Sequence, residues 1–194
     1  NLNKFIEIEG LDFLTSIKKN NEQVVFISGH FNNFELMTME IDRVGINVCA
    51  IYRPLNNPFL NMIMENIRKN YICKNQIKKG KAGTRELMNL FKKNYSVAIM
   101  IDQRVSEGKE IELFKRPAKT TTIPAQLSKK YGCPVVPIYI ERIKNNHFKL
   151  IINKPIKFDQ DLTVEAITLQ LNIILEKMIL KNPDQWIWSH DRWK

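Results

Sequence analysis

Hydrophobic positions along the chain fall into two alternating patterns. Val24-Val25-Phe26-Ile27 is a short continuous apolar run, as expected of a strand buried on both faces. Directly after it, Phe34, Met37, Ile41 and Val44 recur at helical spacing, and Gly45 follows where such a helix would stop. The alternation then repeats. Val48–Tyr52 predicts a strand, and Pro58–Asn70 a helix with Leu60, Ile63 and Ile67 on one face. Arg85–Lys93 predicts a helix through Leu87, Leu90 and Phe91, and Val97–Ile101 a buried strand that ends at Asp102. Two further strands are predicted at Val135–Ile140 and His147–Ile152. Last comes a long helix from about Thr163 to Lys181, with a core stripe of Val164, Ile167, Leu171, Ile174, Leu175 and Met178; Asn182-Pro183 stops it. This order predicts an α/β fold with a mixed, largely parallel central sheet flanked by helices. No repeat, linker or low-complexity tract interrupts residues 1–194, so a single domain is expected.

In open α/β sheets ligands bind at the carboxyl ends of the strands. His30 stands at that end of the first apolar run, and Glu35 falls in the first turn of the helix after it. A histidine with a carboxylate in reach can take a proton from an alcohol, the carboxylate fixing the tautomer and stabilising the imidazolium. Spacing alone also fits a hydrogen-bonded loop histidine and a glutamate placed against the helix dipole.

Composition adds a charge argument. The 30 Lys and Arg residues exceed the 20 Asp and Glu, giving a formal net charge of +10. Such a surface attracts anions: nucleic acid, acidic lipid headgroups or an acidic carrier protein. An AT-rich gene would also enrich lysine, which weakens a purely functional reading. Three scattered cysteines with no CxxC exclude a disulfide framework and fit a reducing compartment. No Cys/His ligand cluster and no glycine-rich phosphate loop supports a metal or nucleotide cofactor. No apolar run approaches the ~20 residues of a spanning helix. The chain opens without an initiator Met, and only 29 residues precede His30, so an amino-terminal membrane anchor is expected to lie outside it.

Five ordered motifs then narrow the reading: "GHFNNFEL", "IYRPLNNP", "IMIDQR", "LFKRPAKTTTIPAQLSKKYGCPVVPIYIER" and "QWIWSHDRWK". Together they resemble the late (secondary) acyltransferases of lipid A biosynthesis, within the lysophospholipid and glycerolipid acyltransferase superfamily marked by HxxxxD or HxxxxE. The resemblance runs from about Val24 to Lys194. Asn32 and Phe34 replace a usual Gly and Trp; Asn tolerates a left-handed backbone and Phe remains an aromatic anchor. The resemblance implies His30 as general base, oriented by Glu35, with direct attack of the acceptor hydroxyl on an acyl thioester. It implies substrate contacts from Arg53 (phosphate or oxyanion), Asn56 on the pocket rim, and Gln103 and Arg104. Asp102 would hold Arg53 or a lysine, with a helix or turn cap as the alternative, and Thr120 and Thr121 would cradle a phosphate, with a plain helix N-cap as the alternative. Trp186, Trp188, Trp193, His190 and Arg192 read at least as readily as structural anchors. Ser28, before Gly29-His30, lacks the nucleophile-elbow pattern.

As partners the resemblance implies acyl carrier protein as donor, a lipid A precursor as acceptor and an anionic membrane surface, at the cytoplasmic face of the bacterial inner membrane. Seven basic residues and no acidic one lie from Arg68 to Arg85 (Arg68, Lys69, Lys74, Lys78, Lys79, Lys81, Arg85). They fit a solvated face, lipid headgroups or an acidic carrier protein. A glycerolipid or phosphatidylinositol-mannoside-type acyltransferase is the nearest alternative, although its FPEG-like motif is missing. A basic domain without catalysis, binding membrane or nucleic acid, is the alternative from another class. Nucleic acid is disfavoured, because only Tyr71 interleaves aromatic surface with that run.

Overall fold

The computed structural model describes residues 5–194. Among them a seven-stranded sheet runs in the order β1 (Ile6–Glu9), β9 (His147–Ile152), β8 (Val135–Lys144), β2 (Val25–Ser28), β5 (Ser96–Met100), β3 (Val48–Tyr52) and β4 (Asn75–Lys78). Every neighbouring pair is parallel except β8 with β9. The helices are α1 (Leu11–Lys19), α2 (Glu35–Arg43), α3 (Pro58–Ile67), α4 (Lys81–Lys92), α5 (Ile123–Tyr131) and α6 (Val164–Lys181). A separate antiparallel hairpin, β6 (Lys109–Leu113) with β7 (Arg116–Thr120), packs on α6. This is the expected α/β architecture with a mostly parallel sheet.

The central strands form where apolar runs allow burial on both faces: all of β2 and the first six residues of β8 are buried. α6 is anchored by Ile167, Leu171, Leu175 and Ile179, each 1% exposed, and each such side chain contributes about 1.5–3 kcal/mol by leaving water. Thr163 caps α6 by accepting from the Ala166 N–H.

Several elements depart from the periodicity. β8 continues past Ile140 to Lys144, because its exposed charged residues pair with β9 outside the core. β4 is a polar edge strand in which only Ile77 is buried. β6 and β7 are joined through Phe114 and Lys115, both at positive φ (53° and 58°), the backbone of a tight hairpin turn that usually selects Asn or Gly. α4 starts at Lys81 rather than Arg85. Its Gly83 lies so close to the end of β4 that an added Cβ would sit 1.8 Å from the Lys78 carbonyl oxygen. α3 ends at Ile67 and passes into a π-helical turn, Arg68–Ile72. Its predicted face does not enter the core: Leu60, Ile63 and Ile67 are 50%, 42% and 41% exposed.

Two registers build the site. Ser28 pairs with Met100, so His30 and Asp102, each two residues further on, emerge side by side. Tyr52 pairs with Lys78, which sets Arg53 beside Lys79.

Candidate active site

His30 is held on three sides. Its Nδ1 lies 2.7 Å from Asp102 Oδ1, and its backbone N–H donates to Asp102 Oδ2 at 2.8 Å. Its carbonyl accepts from the Ile187 N–H at 3.1 Å. The Trp186 indole N–H donates to the same Asp102 Oδ2 at 2.9 Å. Asp102 is 3% exposed. Burial pushes its carboxyl up, but the hydrogen bond and charge of His30, the His30 backbone N–H and the Trp186 indole outweigh it and hold the carboxyl below its ordinary value. An ionised Asp102 keeps a proton on Nδ1 and leaves Nε2 as the basic ring nitrogen, in a side chain 19% exposed.

Two expectations are corrected here. Asp102 holds neither Arg53 nor a lysine; it holds His30. Glu35 is not the ring's partner; its Oε1 accepts from Arg68 Nε at 2.6 Å. The segment between the two motif residues explains this. Asn32 adopts φ 39°, and Phe31 forms a bridge with Trp186. That path delivers the Phe34 ring to His30, edge-on at 4.7 Å, and turns Glu35 toward the carboxyl end of α3.

The cleft in front of His30 has a volume of about 360 Å³, within the size range of small-molecule sites. Its walls are mainly apolar, from Phe34, Ala50, Ile51, Ala98, Met100 and Ile123, with Glu35, Arg53, Arg68 and Lys79 as charged groups. Of the expected contacts, Arg53, Gln103 and Thr121 line it. Asn56 is exposed and outside it, while its neighbour Asn57 caps α3. Thr120 is buried elsewhere, donating to the Ala118 carbonyl and accepting from Arg192. The Arg104 N–H donates to His190 Nε2 at 3.2 Å, and its side chain does not line the cleft. Arg68 and Lys79 were visible in the sequence only as members of a basic run. Arg68 also has a buried Nη1 without a partner, and its guanidinium lies 5.4 Å from the Tyr52 ring centroid.

Neither Ser28 nor any of the three cysteines is set up as a nucleophile beside His30. Ser28 is buried and donates to Met37 Sδ at 3.3 Å. Burial pushes the Cys49 thiol up to about 12 and those of Cys73 and Cys133 to about 11, far from a reactive thiolate.

The terminal motif frames the dyad from behind. Trp186 and Ile187 bind the His30 segment, and Asn32 bonds Gln185 through both backbone and side chain. His190 accepts from Arg104, which requires a neutral ring nitrogen. Burial pushes its pKa down; the Asp102 charge opposes this and the Arg192 charge adds to it, leaving the net shift downward. A depressed histidine stabilises the fold above its unfolded value and loses that contribution as pH falls through its folded value. Between about pH 7 and 5, denaturant unfolding should show wild type losing more stability than His190→Ala. Equal pH dependence would refute this role.

Comparison with known proteins now bears on this geometry. The family model described as "Bacterial lipid A biosynthesis acyltransferase" matches residues 1–194. The chain belongs to this family. It is 25% identical over 200 residues to the lipid A biosynthesis palmitoleoyltransferase of Escherichia coli K12, covering 98% of this chain and 62% of that protein. It is 22% identical over 192 residues to lipid A biosynthesis acyltransferase 2 of Shigella flexneri, covering 93% and 58% respectively. Thus the chain spans about three-fifths of the length of these lipid A family relatives. The fold is also similar to the crystal structure of the 1-acyl-sn-glycerophosphate acyltransferase of Thermotoga maritima, with a TM-score of 0.54 at 13% identity, covering 94% of this chain and 74% of that one.

Proposed function

We propose that this protein transfers a fatty acyl chain from the thioester of acyl carrier protein to a hydroxyl of a lipid A precursor at a membrane surface. One observation carries the mechanism: His30, fixed through Nδ1 by Asp102, opens onto an apolar cleft with a cationic rim. Family membership supports the acyl and lipid A parts of the reading.

The step needs no covalent enzyme intermediate. His30 Nε2 takes the proton of the acceptor hydroxyl as its oxygen bonds to the thioester carbonyl carbon. The negative charge that develops on the carbonyl oxygen is met by donors at the cleft, with Gln103 and the guanidiniums of Arg53 and Arg68 in range of the pocket. Collapse of the tetrahedral adduct breaks the C–S bond, and the imidazolium returns its proton to the leaving thiolate. Glu35 acts here by positioning Arg68, whose side chain lines the cleft and would bind a phosphate of either substrate. The apolar walls suit a hydrocarbon chain.

The test is a mass-spectrometric assay of acyl transfer in detergent, pairing thioesters of acyl carrier protein or coenzyme A with a lipid A precursor or a lysophospholipid. Acylated lipid A precursor formed preferentially from the carrier-protein thioester is the expected product. Acylation of the lysophospholipid alone would replace this reading with glycerolipid acylation.

A further inference from the structure

α3 is built inside out. A surface helix normally turns its apolar stripe to the core and its polar face to water. Here Phe59, Leu60, Met62, Ile63 and Ile67 are exposed at 65%, 50%, 62%, 42% and 41%, and no residue of the helix is buried. The polar side chains of Asn61 and Glu65 face inward instead. Asn61 bonds the Leu55 N–H and Glu65, Glu65 pairs with Lys78 at 3.0 Å, and Arg68, just beyond the helix, pairs with Glu35 at 2.6 Å. Asn57 caps the start by accepting from the N–H groups of Phe59 and Leu60. These bonds fix the helix with its apolar face outward, so its orientation is not that of a loose segment. In water such a contiguous apolar surface is costly, and patches of this kind mark contact with an apolar partner.

The charges around α3 say which partner. Glu65 is the only acidic residue from Arg53 to Arg85, and hydrogen bonds from Tyr52, Lys78 and Asn61 hold it ionised and turned inward. Lys69 and Lys74, after the helix, are exposed, and so is Arg53 before it. An apolar helical face flanked by cations, in a segment from Arg53 to Arg85 whose one acidic residue is already paired, is complementary to an anionic bilayer: hydrocarbon below, phosphates above. Nucleic acid would meet the cations and leave the apolar face in water. The segments on either side of α3 reach the cleft, since Arg53 before it and Arg68 and Ile72 after it line the cleft.

We propose that α3 inserts its outward face into the headgroup–acyl boundary of an anionic membrane, with Lys69 and Lys74 at the lipid phosphates. This rests on the membrane-surface part of the function proposed above and names the element that performs it. Insertion there would set the cleft mouth at the depth where a lipid acceptor presents its hydroxyls.

Flotation with phosphatidylcholine vesicles, with and without phosphatidylglycerol, tests the proposal without any turnover, so failure of the acyl-transfer reading would not disturb it. The 194-residue chain should float with anionic vesicles at least about tenfold better than with neutral ones. Phe59→Glu with Ile63→Glu, and separately Lys69→Glu with Lys74→Glu, should each reduce that binding about tenfold or more. Both replaced pairs are exposed, and an unchanged thermal melt will show that they fold. A polarity-sensitive dye on Met62→Cys gives a second readout, since the three native cysteines are buried. Its emission should shift to the blue with anionic vesicles. Flotation unaffected by the Phe59→Glu and Ile63→Glu pair would overturn insertion. So would a dye that stays in water on vesicles, or one that shifts only with added acyl carrier protein or with increasing protein concentration.

Discussion

Asp102→Asn is expected to lower kcat for acyl transfer by roughly 10²–10⁴-fold, the usual share of a general base, with little change in KM. The reason lies in tautomers. Asp102 accepts from His30 at Nδ1, so the ring's second nitrogen carries a lone pair. An asparagine amide can donate to Nδ1 instead, moving the ring proton to Nε2, where it blocks the base. The shape of the site would survive, because the asparagine oxygen still accepts from the His30 N–H and the Trp186 indole, now at 2.8 and 2.9 Å from the carboxylate. The substrate contacts proposed above lie on other residues that line the cleft, Arg53 and Arg68 among them. Steady-state kinetics with the substrates established for the wild-type protein checks the split. A loss confined to KM would place Asp102 in binding rather than in positioning His30.

Arg192→Ala is expected to reduce folding stability by roughly 2–5 kcal/mol, the range for emptying a large buried site and losing charged hydrogen bonds. Arg192 is 1% exposed, two positions before the last residue, Lys194. Its Nη1 donates to the Lys119 carbonyl at 2.9 Å and its Nη2 to Thr120 Oγ1 at 2.5 Å. Burial pulls its pKa down to about 10, with the Asp102 charge acting the other way. Removing the guanidinium relieves that desolvation cost, but it leaves a cavity and releases the tail from β7. Trp186, Ile187 and His190 belong to the same tail, so activity should fall along with stability. Chemical denaturation of the variant measures the loss. A change below about 0.5 kcal/mol, the range of surface substitutions, would show that the tail is held by other contacts.

Much of this architecture was legible because it depends on local pattern. β3 follows Val48–Tyr52 residue for residue, and the helix after β2 closes near Gly45, which adopts φ 86°. Elements that missed the periodicity lack its physical cause. β4 buries only Ile77, and β6–β7 turns through Phe114 and Lys115 without a turn residue to announce it. For α3 the spacing of Leu60, Ile63 and Ile67 was right as a face, but periodicity cannot say whether a face meets a core or another apolar phase.

The candidate site divides in the same way. Strand-end logic put His30, Arg53 and Asp102 at one edge of the sheet. It did not pair His30 with Asp102, because that contact depends on the β2–β5 register between segments far apart in sequence. Glu35, close in sequence, looked like the natural partner, yet the left-handed Asn32 and the Phe31–Trp186 bridge carry it to Arg68. The terminal tryptophans looked structural, and Trp186 is buried, but its indole N–H also anchors Asp102.

The central claim is that His30 and Asp102 act as one proton-accepting unit. A double-mutant cycle on acyl-transfer kcat, with His30→Ala, Asp102→Asn and the two combined, tests it most directly. Groups that work as a unit give non-additive losses, so the combined variant should be no slower than His30→Ala alone. Losses that multiply, or turnover that survives His30→Ala near the wild-type rate, would contradict the account.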